Sequence, residues 1–163
     1  MPLCFENLAA QNTLKIQKEV ERELKIYRQK LEKDENISAL MKEFSIDTFR
    51  VEHTFSAKTA DLVNSIDILE AFVAASDEYD ALLNKYYNRL LAKLNKEDKK
   101  VLITAQKAWI SFRDAEQNVI GTMGKEQYSG GGSIQRDINE AASQELTKMR
   151  LSNIFNHLDR IVE

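Results

Sequence analysis

The sequence predicts an all-α protein, a helical bundle of four to five helices with long antiparallel hairpins. Three observations predict it. The only proline is Pro2, and all five glycines lie between Gly121 and Gly132. Residues 3–120 therefore carry neither of the strong backbone punctuators. Apolar residues recur at intervals of three and four through most of the chain, the period of one helix face. Polar clusters that can cap helices, Asp34-Glu35-Asn36 and Asn95, separate these runs.

The first helix is expected over residues 13–33. Ile16, Val20, Leu24, Tyr27 and Leu31 form a narrow seam among Lys, Arg, Glu and Gln. Such a helix packs along one neighbour or along a partner chain. Asn36 or Ser38 can cap the next helix, whose face is Ile37, Leu40, Met41, Phe44, Thr48, Val51 and Phe55. The same phase continues through Leu62, Ile66, Leu69 and Val73. The polar cluster at residues 59–61 and a cap at Ser65 favour a break near residues 56–65. Ser76-Asp77-Glu78 opens a helix, or continues into one, bearing Tyr79, Leu82, Leu83, Tyr86, Leu90, Leu91 and Leu94.

Asn95 caps the following helix, with Glu97 and Asp98 in the first turn, where the macrodipole favours acids. It is expected to end at Gly121. The short interval at Asn95 predicts an antiparallel hairpin. A glycine-dense loop over residues 121–133 leads to a last helix from Ser133 or Ile134 to about Ile161. There the apolar phase shifts. Ile138, Ala142, Leu146 and Met149 share one face, and Leu151, Ile154, Phe155, Leu158 and Ile161 lie nearly opposite. Either the helix kinks near Arg150, or its end is buried on a second side.

The chain of 163 residues fits a single helical domain spanning residues 1–163. Hydrophobic residues at 43% and charged residues at 30% are globular values. A net charge of −3 argues against a nucleic-acid partner, which would call for a basic face. No apolar run is long enough to span a membrane, so no transmembrane segment is expected. Cys4 is the only cysteine, so no intrachain disulfide can form. Near a terminus it reads as an unimportant thiol, with a lipid or redox site as the alternative. Residues 1–10 read either as an ordinary start or as the tail of a truncated export signal cleaved near Ala10.

Catalytic constellations are scarce. His53 and His157 have no patterned neighbours, and no metal-binding, nucleophile-elbow or phosphate-loop motif occurs. No catalytic residue, metal or cofactor is expected. The informative string is AQKAWISFRDAE, residues 105–116. Gln106, Trp109, Arg113 and Glu116 share about 80° of arc beside the stripe of Leu102, Ala105, Phe112 and Val119. In one reading Trp109 is core and Arg113 bridges the hairpin, through a carboxylate or a loop carbonyl, with its stem on the ring. In the other, tryptophan and arginine form an exposed hot spot. Asp114 and Lys107 point to solvent. Met123, Lys125, Glu126, Gln127 and Tyr128 lie in the glycine-dense loop. Either Tyr128 is presented as a contact surface, or it packs inward under a crossover.

Residues 79–87 (YDALLNKYY, with Asn84 and Tyr87), the string at 105–116, YSGGGS at 128–133 and ELTKMR at 145–150 resemble, in order and spacing, the LprI-type lysozyme-inhibitor family. The resemblance covers roughly residues 65–155 and leaves residues 1–35 as an N-terminal extension helix. It implies a small helical protein of the bacterial envelope, exported to the periplasm or carried as a lipoprotein. It favours the export-signal reading of residues 1–10; a cytoplasmic location is the alternative. Two positions depart from the family pattern. Its Thr-x-x-x-Met-x-x-Cys opening corresponds to residues 65–72, ending at Phe72, and the cysteine after Arg-Asp-x-Glu is Gln117. This chain therefore resembles a disulfide-free branch, held by packing alone.

The resemblance implies a non-enzymatic protein whose partner is a protein, a lysozyme or other peptidoglycan hydrolase. The contact residues expected are Glu126, Tyr128, Ser129, Gly130, Gly131 and Gly132. Gln106, Trp109, Phe112, Arg113, Asp114, Glu116, Asn84 and Tyr87 are expected to hold the hairpin and the base of the loop. The alternative is a helical scaffold or assembly module that binds a partner, or a second copy, through its N-terminal helix.

Overall fold

The computed structural model describes the backbone of residues 3–60 and 65–161 and the side chains of residues 12–60 and 67–161. All regular structure among them is helical. The helices are α1 (Leu3–Glu32), α2 (Ala39–Thr59), α3 (Ser65–Lys93), α4 (Lys96–Met123), α5 (Glu126–Ser129) and α6 (Ile134–Asp159). The chain forms two compact units, residues 1–62 and 63–163. The expectations for Cys4 and for an export-signal remnant at residues 1–10 fall outside the described side chains.

The first unit is an antiparallel hairpin of α1 and α2. Ser38 is the cap, its hydroxyl accepting from the Met41 N–H at 3.0 Å. The seam predicted for the first helix lies against α2, with Val20, Leu24 and Leu31 buried. Tyr27 stacks on Phe49, and Phe49 on His53, with centroids 4.3 and 3.7 Å apart. The His53 Nδ1–H donates to Glu23 Oε2 at 2.7 Å. The seam thus has its neighbour within the chain. Helix α2 ends at Thr59, which agrees with a break; residues 61–64 lie outside the described residues.

The second unit is built on α6. It runs parallel to α3 and packs closely along it. Ala71 and Ala75, both buried, let the two backbones approach. Below them Tyr79, Leu83, Tyr86 and Leu90 fill the α3 face. Tyr86, fully enclosed, meets Phe155 edge to face, centroids 5.7 Å apart at 84°. Ser76–Asp77–Glu78 continues one helix, as α3 is unbroken from Ser65.

Helix α4 reverses direction after Leu94 and Asn95. The Asn95 side chain accepts from the Glu97 and Asp98 N–H groups at 2.9 and 3.0 Å. The hairpin sense agrees with expectation, but the closest packing of the unit is α3 on α6, with α4 attached along α6.

Two expectations are corrected, and one stripe is placed. Gly121 does not end α4, which continues to Met123 with Gly124 as its cap. Gly121 has open space where a Cβ would sit, and a glycine inside a helix costs only about 1 kcal/mol. The stripe of Ala105, Phe112 and Val119 is exposed; of its members only Leu102 is buried. The buried face of α6 does not change side. It runs through Gln144, Thr147, Leu151, Ile154 and Leu158, so Ile138 and Met149 stay in solvent. The pattern misled because two buried positions are polar. Gln144 donates to the Ser76 hydroxyl at 3.4 Å, which in turn donates to Glu140 Oε1 at 3.2 Å.

Candidate functional site

The inward side of α4 carries Leu102, Gln106, Trp109, Arg113, Glu116 and Ile120, the first buried and the others half-buried. Their spacing of four, three, four, three and four is a heptad-like row turned toward the unit. Half of the row is polar, and one side chain of α6 meets part of it. Arg150 crosses to α4, where its Nε–H donates to Gln106 Oε1 at 2.9 Å. Its guanidinium carbon lies 5.9 Å from the centroid of the Trp109 ring. Arg113 lies 5.3 Å from the same centroid. Trp109 thus interacts with two cations and is half-buried.

Arg113 does not bridge the hairpin. Its Nε and Nη2 both donate to its neighbour Asp114, at 3.2 and 3.1 Å. Asp114 is exposed, but it holds Arg113 instead of standing alone in solvent. Arg150 is the costly member of the group. Its Nη2 is buried without a hydrogen-bond partner, and burial pushes the guanidinium below its ordinary pKa, an effect that nearby Tyr87 opposes. A buried cation that lacks a full set of acceptors destabilises a fold.

At the other end of α4, Gly124 packs against Asn139 of α6, where any side chain would collide with the Asn139 amide. The single turn α5 follows. Gly130, at φ +79°, ends it, its N–H donating to Glu126 O at 2.9 Å. Gly131 and Gly132 also sit at positive φ, +76° and +92°, the region that favours glycine. The Ser129 hydroxyl lies 3.0 Å from Gly124 O and 3.1 Å from Lys125 O, and accepts from the Gly131 N–H at 3.1 Å. The glycine-dense loop is therefore a folded turn, closed by its own hydrogen bonds.

Tyr128 does not pack inward. It is 59% exposed, and Glu126 beside it is exposed too. Of the residues expected to hold the hairpin, Asn84 and Phe112 are exposed, while Gln106, Trp109, Arg113, Glu116 and Tyr87 face inward. The sequence reading missed Arg150 as the partner of Gln106 and Trp109. Its signal was present as the last residue of ELTKMR, the fourth string of the family pattern.

No described helix is long and apolar enough to cross a membrane. Among the described residues no three His, Cys, Asp or Glu side chains converge to hold a metal ion. No curated protein and no solved structure matches the chain. One family profile does match, that described as Lysozyme inhibitor LprI, over residues 56–153. The match runs from the last turn of α2 into α6 and takes in the Trp109 helix, the closed turn and Arg150. The chain belongs to the LprI lysozyme-inhibitor family.

Proposed function

We propose that this protein is a non-enzymatic component of the bacterial envelope or periplasm that binds a lysozyme or another peptidoglycan hydrolase and blocks it sterically. Family membership favours this class of partner. The observation that carries the binding surface is the exposure of Tyr128 on a turn fixed by Ser129 and three positive-φ glycines. A tyrosine held rigidly in solvent offers contact area at little ordering cost. Glu126 beside it adds a negative group suited to a basic enzyme surface. Trp109 and Arg150 hold α4 on α6 and so position the turn at the end of α4.

Clearing of a peptidoglycan suspension by c-type and g-type lysozymes tests this reading. The purified full chain slows clearing in proportion to its concentration. No slowing at a large molar excess overturns the inhibitor reading for those enzymes.

A further inference from the structure

One exposed stripe of α4 is apolar. Val101, Ala105, Ala108, Phe112, Ala115, Val119 and Thr122 recur at four, three, four, three, four and three residues, a heptad seam. Val101 is 69% exposed, Phe112 51% and Val119 50%; Ala105, Ala108 and Ala115 are exposed as well, and Thr122 at the end is half-buried. With Thr104 and Met123, these residues span about 100° of the helix. From Val101 onward this arc contains no charged residue, in a chain that is 30% charged. Depletion of charge beside exposed aromatic and branched residues marks the core of an interface. We infer that this face of α4 pairs with the same face of a second copy, antiparallel, about a twofold axis.

The sequence is complementary to itself in that orientation. With Ala108 level with Phe112 of the other copy, Phe112 meets Ala108, Ala105 meets Ala115, and Val101 meets Val119. Large faces small in the two central layers, alanine faces alanine in the next, and valine faces valine at the ends. Ser111 then lies beside the twofold axis and meets its own counterpart. Thr104 and Asn118 lie on the same flank as Ser111, two residues out of level. A parallel pair would instead set Phe112 on Phe112 and Ala108 on Ala108.

The seam is roughly 33 Å long, on a helix about 10 Å wide. With side-chain relief, two copies bury on the order of 1,000 Å² in total, the low end for a specific interface. The expected dimer is weak, with a Kd on the order of 10–100 µM.

Sedimentation equilibrium of the full chain tests this between about 20 µM and about 1 mM. The expected average mass rises from 18.7 kDa toward twice that value. Phe112→Glu stays monomeric throughout while its helical circular dichroism is unchanged. Ala108→Glu, at a second exposed position, gives the same result and carries the test if Phe112→Glu fails to fold. In a Cys4→Ser background, Ser111→Cys forms a disulfide-linked dimer on mild oxidation. A wild-type chain that is monomeric at about 1 mM overturns the proposal, as does a Phe112→Glu chain that associates like wild type. A dimer in which Ser111→Cys fails to cross-link overturns the antiparallel register. If the wild type stays monomeric and Phe112→Glu loses binding to a hydrolase, the face belongs to that partner and not to a second copy.

Discussion

Trp109 and Phe112 sit three residues apart on α4, and their truncations should differ sharply. Trp109 is half-buried against α6 and interacts with two guanidinium groups, at 5.3 and 5.9 Å. A tryptophan side chain offers roughly 200 Å² of surface. If about half of it is withdrawn from water, at about 25 cal/mol per Å², burial contributes about 2–3 kcal/mol. Two cation–π contacts at partly exposed sites add about 1–2 kcal/mol together. Trp109→Ala should therefore cost about 3–5 kcal/mol, the usual range for such truncations. Phe112 is 51% exposed, and in the isolated chain its truncation should cost about 1 kcal/mol or less. Leu102 is the only buried side chain of α4, so little else replaces what Trp109 supplies.

Urea denaturation of both variants, in dilute solution, measures the two costs. Native-state hydrogen exchange then locates the loss. In Trp109→Ala the α4 amides should exchange faster while those of α3 near Tyr86 keep their protection. Equal costs for the two substitutions would refute the assignment of inner and outer faces. So would uniform loss of protection across α3 and α4.

Two more expectations follow from single side chains. Gly131→Ala introduces a Cβ at φ +76° and within 3.2 Å of the Glu126 side chain, so it should cost about 1–2 kcal/mol and raise exchange in residues 126–133. Thermal denaturation with local exchange checks it. Arg150→Met removes a cation whose folded pKa lies below its ordinary value. Such a shift opposes folding while the group is charged, and relief comes only as the pH rises through the folded pKa. A guanidinium stays charged between pH 5 and about 9, so the change in stability should be flat across that window. Its size should be within about 1 kcal/mol of zero, because the lost Gln106 hydrogen bond offsets relief of the orphaned Nη2. Urea midpoints at several pH values measure both.

Much of the fold was legible. Ser38 and Asn95 cap helices because a short polar side chain can satisfy the first free N–H groups, a purely local effect. The seam of α1 was readable because its polar surroundings left one choice of inward face. What could not be read was the rotation of α4. Its sequence offers an apolar row and a mixed row side by side. The mixed one turns inward, where Arg150, some 40 residues later, reaches Gln106 and Trp109. Periodicity reports that a stripe exists, not what meets it. The same blindness hid the buried Gln144 and Thr147, and with them the continuous face of α6. Gly121 misled in a different way, since a lone glycine permits a helix end without requiring one. The site was half legible. The YSGGGS turn and the Trp109 string were visible, but the closure of the turn through Ser129 needed coordinates.

The measurement that tests the central claim most directly is a calorimetric titration of a lysozyme with the wild-type chain and with Tyr128→Ala. Wild type should bind with saturable, one-to-one stoichiometry per hydrolase. Tyr128→Ala, folded and equally stable, should bind at least about tenfold more weakly, a loss of about 1.4 kcal/mol or more. Equal affinity of the two proteins would contradict the placement of the contact surface on the Glu126–Ser129 turn.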